Sequence, residues 1–148
     1  MEWKKEIYSV SDDPSRLDLK LIHTFLTSSY WAAGIPVETV ERSIRHSMCF
    51  GVYHGEKQIG FARVISDHAT YAYLADVFII PEERGKGLSK WLVGIITGHP
   101  ELQGLRRFAL ATKDAQGLYA QFGFTAYTQP ERLMSRHDPD VYTRGQKK

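Results

Sequence analysis

The stretch whose reading decides the fold is Leu74–Gly98, LADVFIIPEERGKGLSKWLVGIITG. Leu74 to Ile80 is a short β-type run, apolar on both faces, which suits a central strand. Pro81 has no N–H to give and ends the pairing. Glu82-Glu83-Arg84-Gly85-Lys86-Gly87 makes a tight basic turn. A helix follows, with Leu88, Trp91, Leu92, Ile95 and Ile96 along one face. It ends near Gly98, with Pro100 just beyond.

A strand that turns through glycines into a helix N-terminus is an anion site. The first-turn N–H groups have no intrahelical partners, and the helix dipole concentrates positive potential there. Gly85 and Gly87 lack a Cβ, so a phosphate can approach the backbone closely. Arg84 and Lys86 add charge. The turn is not GxxxxGK[ST], and a GxGxxG loop would need glycine where Lys90 stands. The bland alternative is a basic surface turn that binds nothing.

At 148 residues the chain makes one domain, residues 1–148, large enough for a real core. It is 43% apolar and 24% charged with a net charge of +2, too small a surplus to point to a nucleic-acid or membrane partner. The lone Cys49 rules out an internal disulfide, and no Cys/His cluster has the spacing of a metal site. The opening MEWKKEIYSV lacks a signal-type apolar core, and no run is long enough to span a membrane. A cytoplasmic protein is therefore expected, with 145–148 as a loose tail.

Working outward, Trp3 to Val10 alternates weakly and predicts a first strand. Asp13-Pro14 predicts a helix start, with Leu17, Leu21, Ile22, Phe25 and Leu26 as the buried stripe. The linker from Thr27 to Pro36 carries Tyr30, Trp31 and Ile35, aromatic residues that suggest a binding wall. Trp31 plugging the edge of the core is the competing reading. Pro36 opens a second helix bearing Val37, Val40 and Ile44. Met48–His54 and Gln58–Ser66 predict a hairpin turned at Gly55, apolar on two faces and so covered by helices on both sides. Asp67-His68 turns into the strand begun by Tyr71. Arg106 to Thr112 predicts another strand, and Ala115, Leu118, Tyr119 and Phe122 a short helix. Gly123 suits the left-handed position after it, and Phe124 leads into a last strand. The pattern predicts an α/β sandwich with a mixed sheet and helices on both faces.

The loop Arg84-Gly85-Lys86-Gly87-Leu88-Ser89, behind Ile79-Ile80-Pro81, resembles the cofactor loop of the GNAT superfamily of acetyltransferases, Arg/Gln-x-x-Gly-x-Gly/Ala after a strand ending in Val-x-Pro. Ser89 departs from the family's last small residue, Gly or Ala, though it is nearly as small and offers its own hydroxyl. A second stretch, Thr112-Lys113-Asp114-Ala115-Gln116-Gly117-Leu118-Tyr119 with Phe122-Gly123-Phe124, resembles the family's Asn-x-x-Ala-x-x-Leu-Tyr-x-x-x-Gly-Phe, with Thr112 replacing Asn. The order of elements is similar too, although the N-terminal half matches in order only.

The resemblance implies an N-acetyltransferase using acetyl-coenzyme A, with a small-molecule or peptide amine as acceptor, and often a homodimer. It implies that the amides of Arg84 to Ser89 hold the diphosphate. Val77, Phe78 and Ile79 would present a peptide edge to the pantetheine arm, and Thr112 and Ala115 would complete the cofactor site. Tyr119, the motif's tyrosine, is implied as the acid that protonates the leaving thiolate, against the alternative that it is only core.

Direct attack on a thioester needs a neutral amine. An amine of pKa about 10.4 is mostly charged at pH 7, a deficit of roughly 4–5 kcal/mol, so something must take its proton. Asp76, a carboxylate sharing a strand face with Leu74, Phe78 and Ile80, is the candidate base, directly or through water; a structural Asp held by backbone N–H groups or by an arginine such as Arg63 is the alternative. Tyr30, Trp31, Tyr71, Tyr73 and Phe78 are candidate acceptor walls, favouring apolar or cationic acceptors. The six histidines lack a partner pattern, His54 and His68 at hairpin ends being the most open to a role. Two rival readings remain, a coenzyme A-sensing module without catalysis and a nucleotide-binding α/β domain.

Overall fold

The computed structural model describes residues 1–144, so the predicted tail at 145–148 lies outside the described residues. One six-stranded sheet runs in chain order: β1 (Glu2–Lys5), β2 (Tyr8–Ser11), β3 (Met48–His54), β4 (Lys57–Ser66), β5 (Tyr71–Ile79) and β6 (Arg107–Leu110). The first five pair antiparallel, and β6 joins β5 in parallel across a helical crossover. The helices are α1 (Leu19–Thr27), α2 (Val37–Arg45), α3 (Leu88–Thr97) and α4 (Gln116–Ala120). The strand of the deciding stretch therefore lies one from the sheet's edge instead of at its centre.

Cys49 to Tyr53 on β3 and Gln58 to Ala62 on β4 are buried without a break. Neighbouring residues in a strand point to opposite faces, so both faces must be covered. Phe50, Phe61, Ile22, Leu26, Ile59, Leu92 and Ile96 are almost fully buried between sheet and helices. The β4–β5 turn is tied by Asp67, whose carboxylate accepts from the amides of Ala69, Thr70 and Tyr71.

Four local expectations are corrected. The first strand is a hairpin, because Glu6 takes a positive φ of 59° and turns the chain between β1 and β2. Asp13-Pro14 starts only a short 3-10 turn; α1 begins at Leu19, capped by Asp18 accepting from the Leu21 amide. The strand predicted over Arg106 to Thr112 is shorter, Arg107–Leu110. No strand forms after Phe124: among the described residues β6 has β5 as its one partner, and the segment beyond Gly123 meets it through rings, Phe124 on Phe108 and Tyr127 under Arg107. The hairpin turns at Gly55, as predicted, with a φ of 62°, and Gly123 takes the predicted left-handed conformation with a φ of 89°.

Gly60 sits where β4 is paired on both sides, opposite Val52 and Ile79. A Cβ there would lie 2.6 Å from Ile79 Cδ1 and 2.9 Å from the Phe78 carbonyl oxygen. Backbone cannot yield as a side chain can. Gly60→Ala should therefore lose roughly 1–3 kcal/mol of stability in urea unfolding; a midpoint unchanged from the wild type would show that the strands part freely here.

Candidate active site

β5 and β6 part company. Their ladder ends at Leu74–Leu110, while β5 runs on to Ile79. Its other edge stays paired, with Phe61 opposite Phe78 and Gly60 opposite Ile79. Residues 75–79 thus have no strand partner on the β6 side. An unpaired β edge is a template for an extended guest.

The opening leads to the basic loop. After a 3-10 turn at Pro81–Glu83, Gly85 and Gly87 take φ of 81° and 77°, and a Cβ on either would meet nothing within 4 Å. Gly87 caps α3 without a side-chain hydrogen bond, and the amides of residues 85–90 donate to no described residue. Six amides around a helix N-terminus form an anion cradle. Leu88 anchors it, being buried in the core. Arg84 turns its Nε back onto the Ile79 carbonyl at 2.9 Å, bracing the strand end.

Glu83 steadies the loop from below. Its carboxylate accepts from Lys86 Nζ at 2.8 Å, His54 Nδ1 at 2.8 Å and the Tyr8 hydroxyl at 3.2 Å. The Lys86 ammonium first, then His54, holds Glu83 down at about 2. The sequence singled out His54 only as a hairpin-end histidine; the pairing joins residues too distant in the chain to be read together.

Asp76 lies at a β-bulge. Ala62 alone on β4 faces both Asp76 and Val77, and Asp76 takes a φ of 57°. Such a conformation in a non-glycine strand residue is strained and clusters at functional sites. The carboxylate accepts from Arg63 Nε at 2.8 Å and from Trp31 Nε1 at 2.9 Å, and Arg63 Nη1 donates to Ser47 Oγ at 3.1 Å. Asp76 and Arg63 side chains are only 11% and 16% exposed. The Arg63-held arrangement, the alternative read from sequence, is the one present. Arg63, the one charged residue within the apolar run of β4, was the legible signal; Ser47 carried none.

Trp31 is joined by Tyr30 at a ring separation of 5.2 Å and by Phe25 at 6.3 Å, while Lys113 Nζ lies 5.2 Å from the centre of the Tyr30 ring. The α1–α2 loop and the 111–115 loop therefore meet over Asp76. Phe78 is buried and stacked on Phe25 at 3.9 Å. Tyr73 lies opposite Ala109 where β5 and β6 still pair. Tyr71 stands at the far end of β5, beside Tyr127 and Arg107, and is not gathered with this group.

Tyr119 is 8% exposed, its ring edge-on to Phe124 at 6.0 Å. It lines a cavity of about 1050 Å³ with Ala109, Thr112 and Phe124. Its hydroxyl bonds to no described residue, and no fully buried side-chain nitrogen or oxygen lacks a partner, so the hydroxyl is not sealed from solvent. Burial holds the phenol above its usual 10, protonated at neutral pH. Thr112 Oγ1 accepts from the Ala115 amide at 3.0 Å, fixing the loop before α4. Cys49, beneath Arg63, is pushed up to about 12 by burial, which leaves it inert as a nucleophile. His99, buried at 2%, accepts the Glu101 amide on Nδ1, so its Nε2 donates to Asp12.

The sequence model described as the Acetyltransferase (GNAT) family matches residues 7–124. A protein of Gibberella zeae, to which acetyltransferase activity is ascribed, is 32% identical over 142 residues, covering 80% of this chain and 79% of its own. A crystal structure from Xanthomonas campestris pv. campestris, ascribed to the GNAT family, is 53% identical with a TM-score of 0.90, covering 92% of this chain and 96% of that one. A Clostridium acetobutylicum structure described as an acetyltransferase with acetyl-CoA has a TM-score of 0.62 at 13% identity, covering 93% and 96%; this last is a likeness of fold alone.

The Glu83 tie has a measurable acid signature. Its depressed proton affinity in the folded chain adds stability that is complete above the usual 4.5 and fades as pH falls toward about 2. The gap in urea midpoint between wild type and Glu83→Gln should accordingly narrow as pH falls through this window. A gap that stays constant would mean that the carboxylate's charge does not hold the loop.

Proposed function

The chain belongs to the acetyltransferase (GNAT) family, and on that footing we propose that it moves an acetyl group from acetyl-coenzyme A to an amine by direct attack. The observation that carries this reading is the continuity of two backbone stretches, the edge of β5 past Leu74 that no strand covers and the free amides of 85–90. A ligand with an extended amide-bearing arm and a diphosphate would satisfy both together. ATP or a dinucleotide would use the amides and leave the strand edge bare.

Val77, Phe78 and Ile79 take the arm through backbone groups, and the loop from Arg84 to Ser89 takes the diphosphate through its amides, with Lys86 adding charge. Thr112 and Ala115 set the loop that borders the arm. Bound acetyl-coenzyme A supplies an acyl carbon already activated as a thioester. Asp76 takes the amine's proton, directly or through one water; each of its oxygens accepts one hydrogen bond and has a lone pair to spare. Tyr119 gives its proton to the departing sulfur. The new bond joins amine nitrogen to acyl carbon, the carbon–sulfur bond breaks, and the free thiol leaves. An inert Cys49 fits a route with no acyl-enzyme.

Acetyl-coenzyme A should raise the melting temperature where ATP and NAD do not; equal shifts would favour a nucleotide-binding domain. Tyr119→Phe should keep the cofactor's thermal shift and slow turnover by roughly 100-fold, and an unchanged rate across the pH profile would remove Tyr119 from the chemistry. Asp76→Asn should displace the acid limb of the pH–rate curve. A cofactor shift without thiol release toward any amine would leave a coenzyme A sensor instead of an enzyme.

A further inference from the structure

The ion pair at the β5 bulge is costly in ways that stability does not explain. It holds a non-glycine residue at a φ of 57° and withdraws two charges from water, both of which oppose folding. It also stops short of satisfying itself. Arg63 donates through Nε to Asp76 and through Nη1 to Ser47, and Nη2 has no partner among the described residues. Because no fully buried nitrogen lacks a partner, Nη2 opens onto solvent-accessible space. Each Asp76 oxygen likewise accepts one bond and retains capacity for another. Asp76 lies within the stretch of β5 that has no partner on the β6 side, and Trp31, Tyr30 and Phe25 form an aromatic wall beside the pair.

We propose that the acceptor is an α-amino acid with an apolar or aromatic side chain, taken as its zwitterion: the carboxylate on Arg63 Nη2, the α-amine on Asp76, and the side chain against Trp31 and Tyr30. The charges carry the argument. A guanidinium and a carboxylate side by side, with N–H donors on Nη2 and a lone pair on each carboxylate oxygen left open, are complementary to a small molecule bearing opposite charges on one carbon. A simple amine would meet Asp76 but would bring its ammonium beside the guanidinium and leave Nη2 without an acceptor. A carboxylate alone would be repelled by Asp76. The aromatic faces add affinity for apolar groups without demanding one shape, and Lys113 over Tyr30 bounds the site on its outer side. Asp76 is then both anchor and proton acceptor, and Arg63 is a binding residue that never touches the acyl group. The product is an N-acetyl amino acid and the free thiol, with the amine's proton leaving through Asp76.

This inference rests on the acetyltransferase reading, and binding alone separates the two. Calorimetry on the full chain with coenzyme A present would compare L-phenylalanine, L-leucine and L-methionine with the amines that lack only the carboxylate: phenethylamine, isoamylamine and 3-(methylthio)propylamine. At least one amino acid should bind, and its matched amine should bind roughly 10- to 100-fold more weakly, the worth of a charged hydrogen bond. Arg63→Gln should erase that preference and keep the coenzyme A thermal shift, with Arg63→Lys restoring part of it. Matched amines binding as well as their amino acids, or no amino acid binding at all, would overturn the proposal even if other amines are acetylated. Loss of the coenzyme A shift in wild type would instead overturn the proposed function.

Discussion

The molecule depends on one parting of strands. β5 and β6 hold together for four residues and then separate, and everything of chemical interest gathers at the gap. A parallel pair cannot be closed by a tight turn; it needs a crossover helix, and here that helix starts with the glycine loop. The same connection that makes β6 parallel to β5 therefore delivers unsatisfied amides to the mouth of the opening. Strand edge and helix N-terminus are two expressions of a single topological fact.

The bulge at Asp76 is the second constraint. Two residues of β5 facing one of β4 break the alternation that would have tucked Asp76 into a regular ladder. Asp tolerates the left-handed region better than most residues, by virtue of a short polar side chain. The carboxylate is held by Trp31 of the α1–α2 loop and by Arg63 of the neighbouring β4. Positioning at the bulge comes from backbone conformation first and from side-chain contacts second.

Much of the fold was legible because its signals are local. The stripe Leu88, Leu92, Ile96 and the turn residues Gly55 and Gly123 each state their role within a few positions, and two glycine-bearing motifs pointed to the family. What failed was also local in cause. Trp3 to Val10 has one continuous weak alternation, and nothing in residue type announces that Glu6 will turn. Asp13-Pro14 looks like a helix start because Asp18, the actual cap, lies in the next turn of the same pattern. The segment after Phe124 is predicted to be a last strand, yet among the described residues it forms no ladder and meets β6 through rings. The site was half legible: Asp76 and Trp31 stood out singly, whereas their joining across 45 residues, and the tie of Tyr8 and His54 to Glu83, are products of the sheet's register.

The Glu83 tie bears on how the loop meets whatever it binds. A glycine-rich segment left to itself would sample many shapes, and ordering it would weigh against every binding event. Here three donors from two neighbouring strands and the loop fasten it in advance, so that entropic penalty is settled when the chain folds. A loop fastened in this way would present its amides to a guest already arranged, leaving the guest's residence to the contacts it makes.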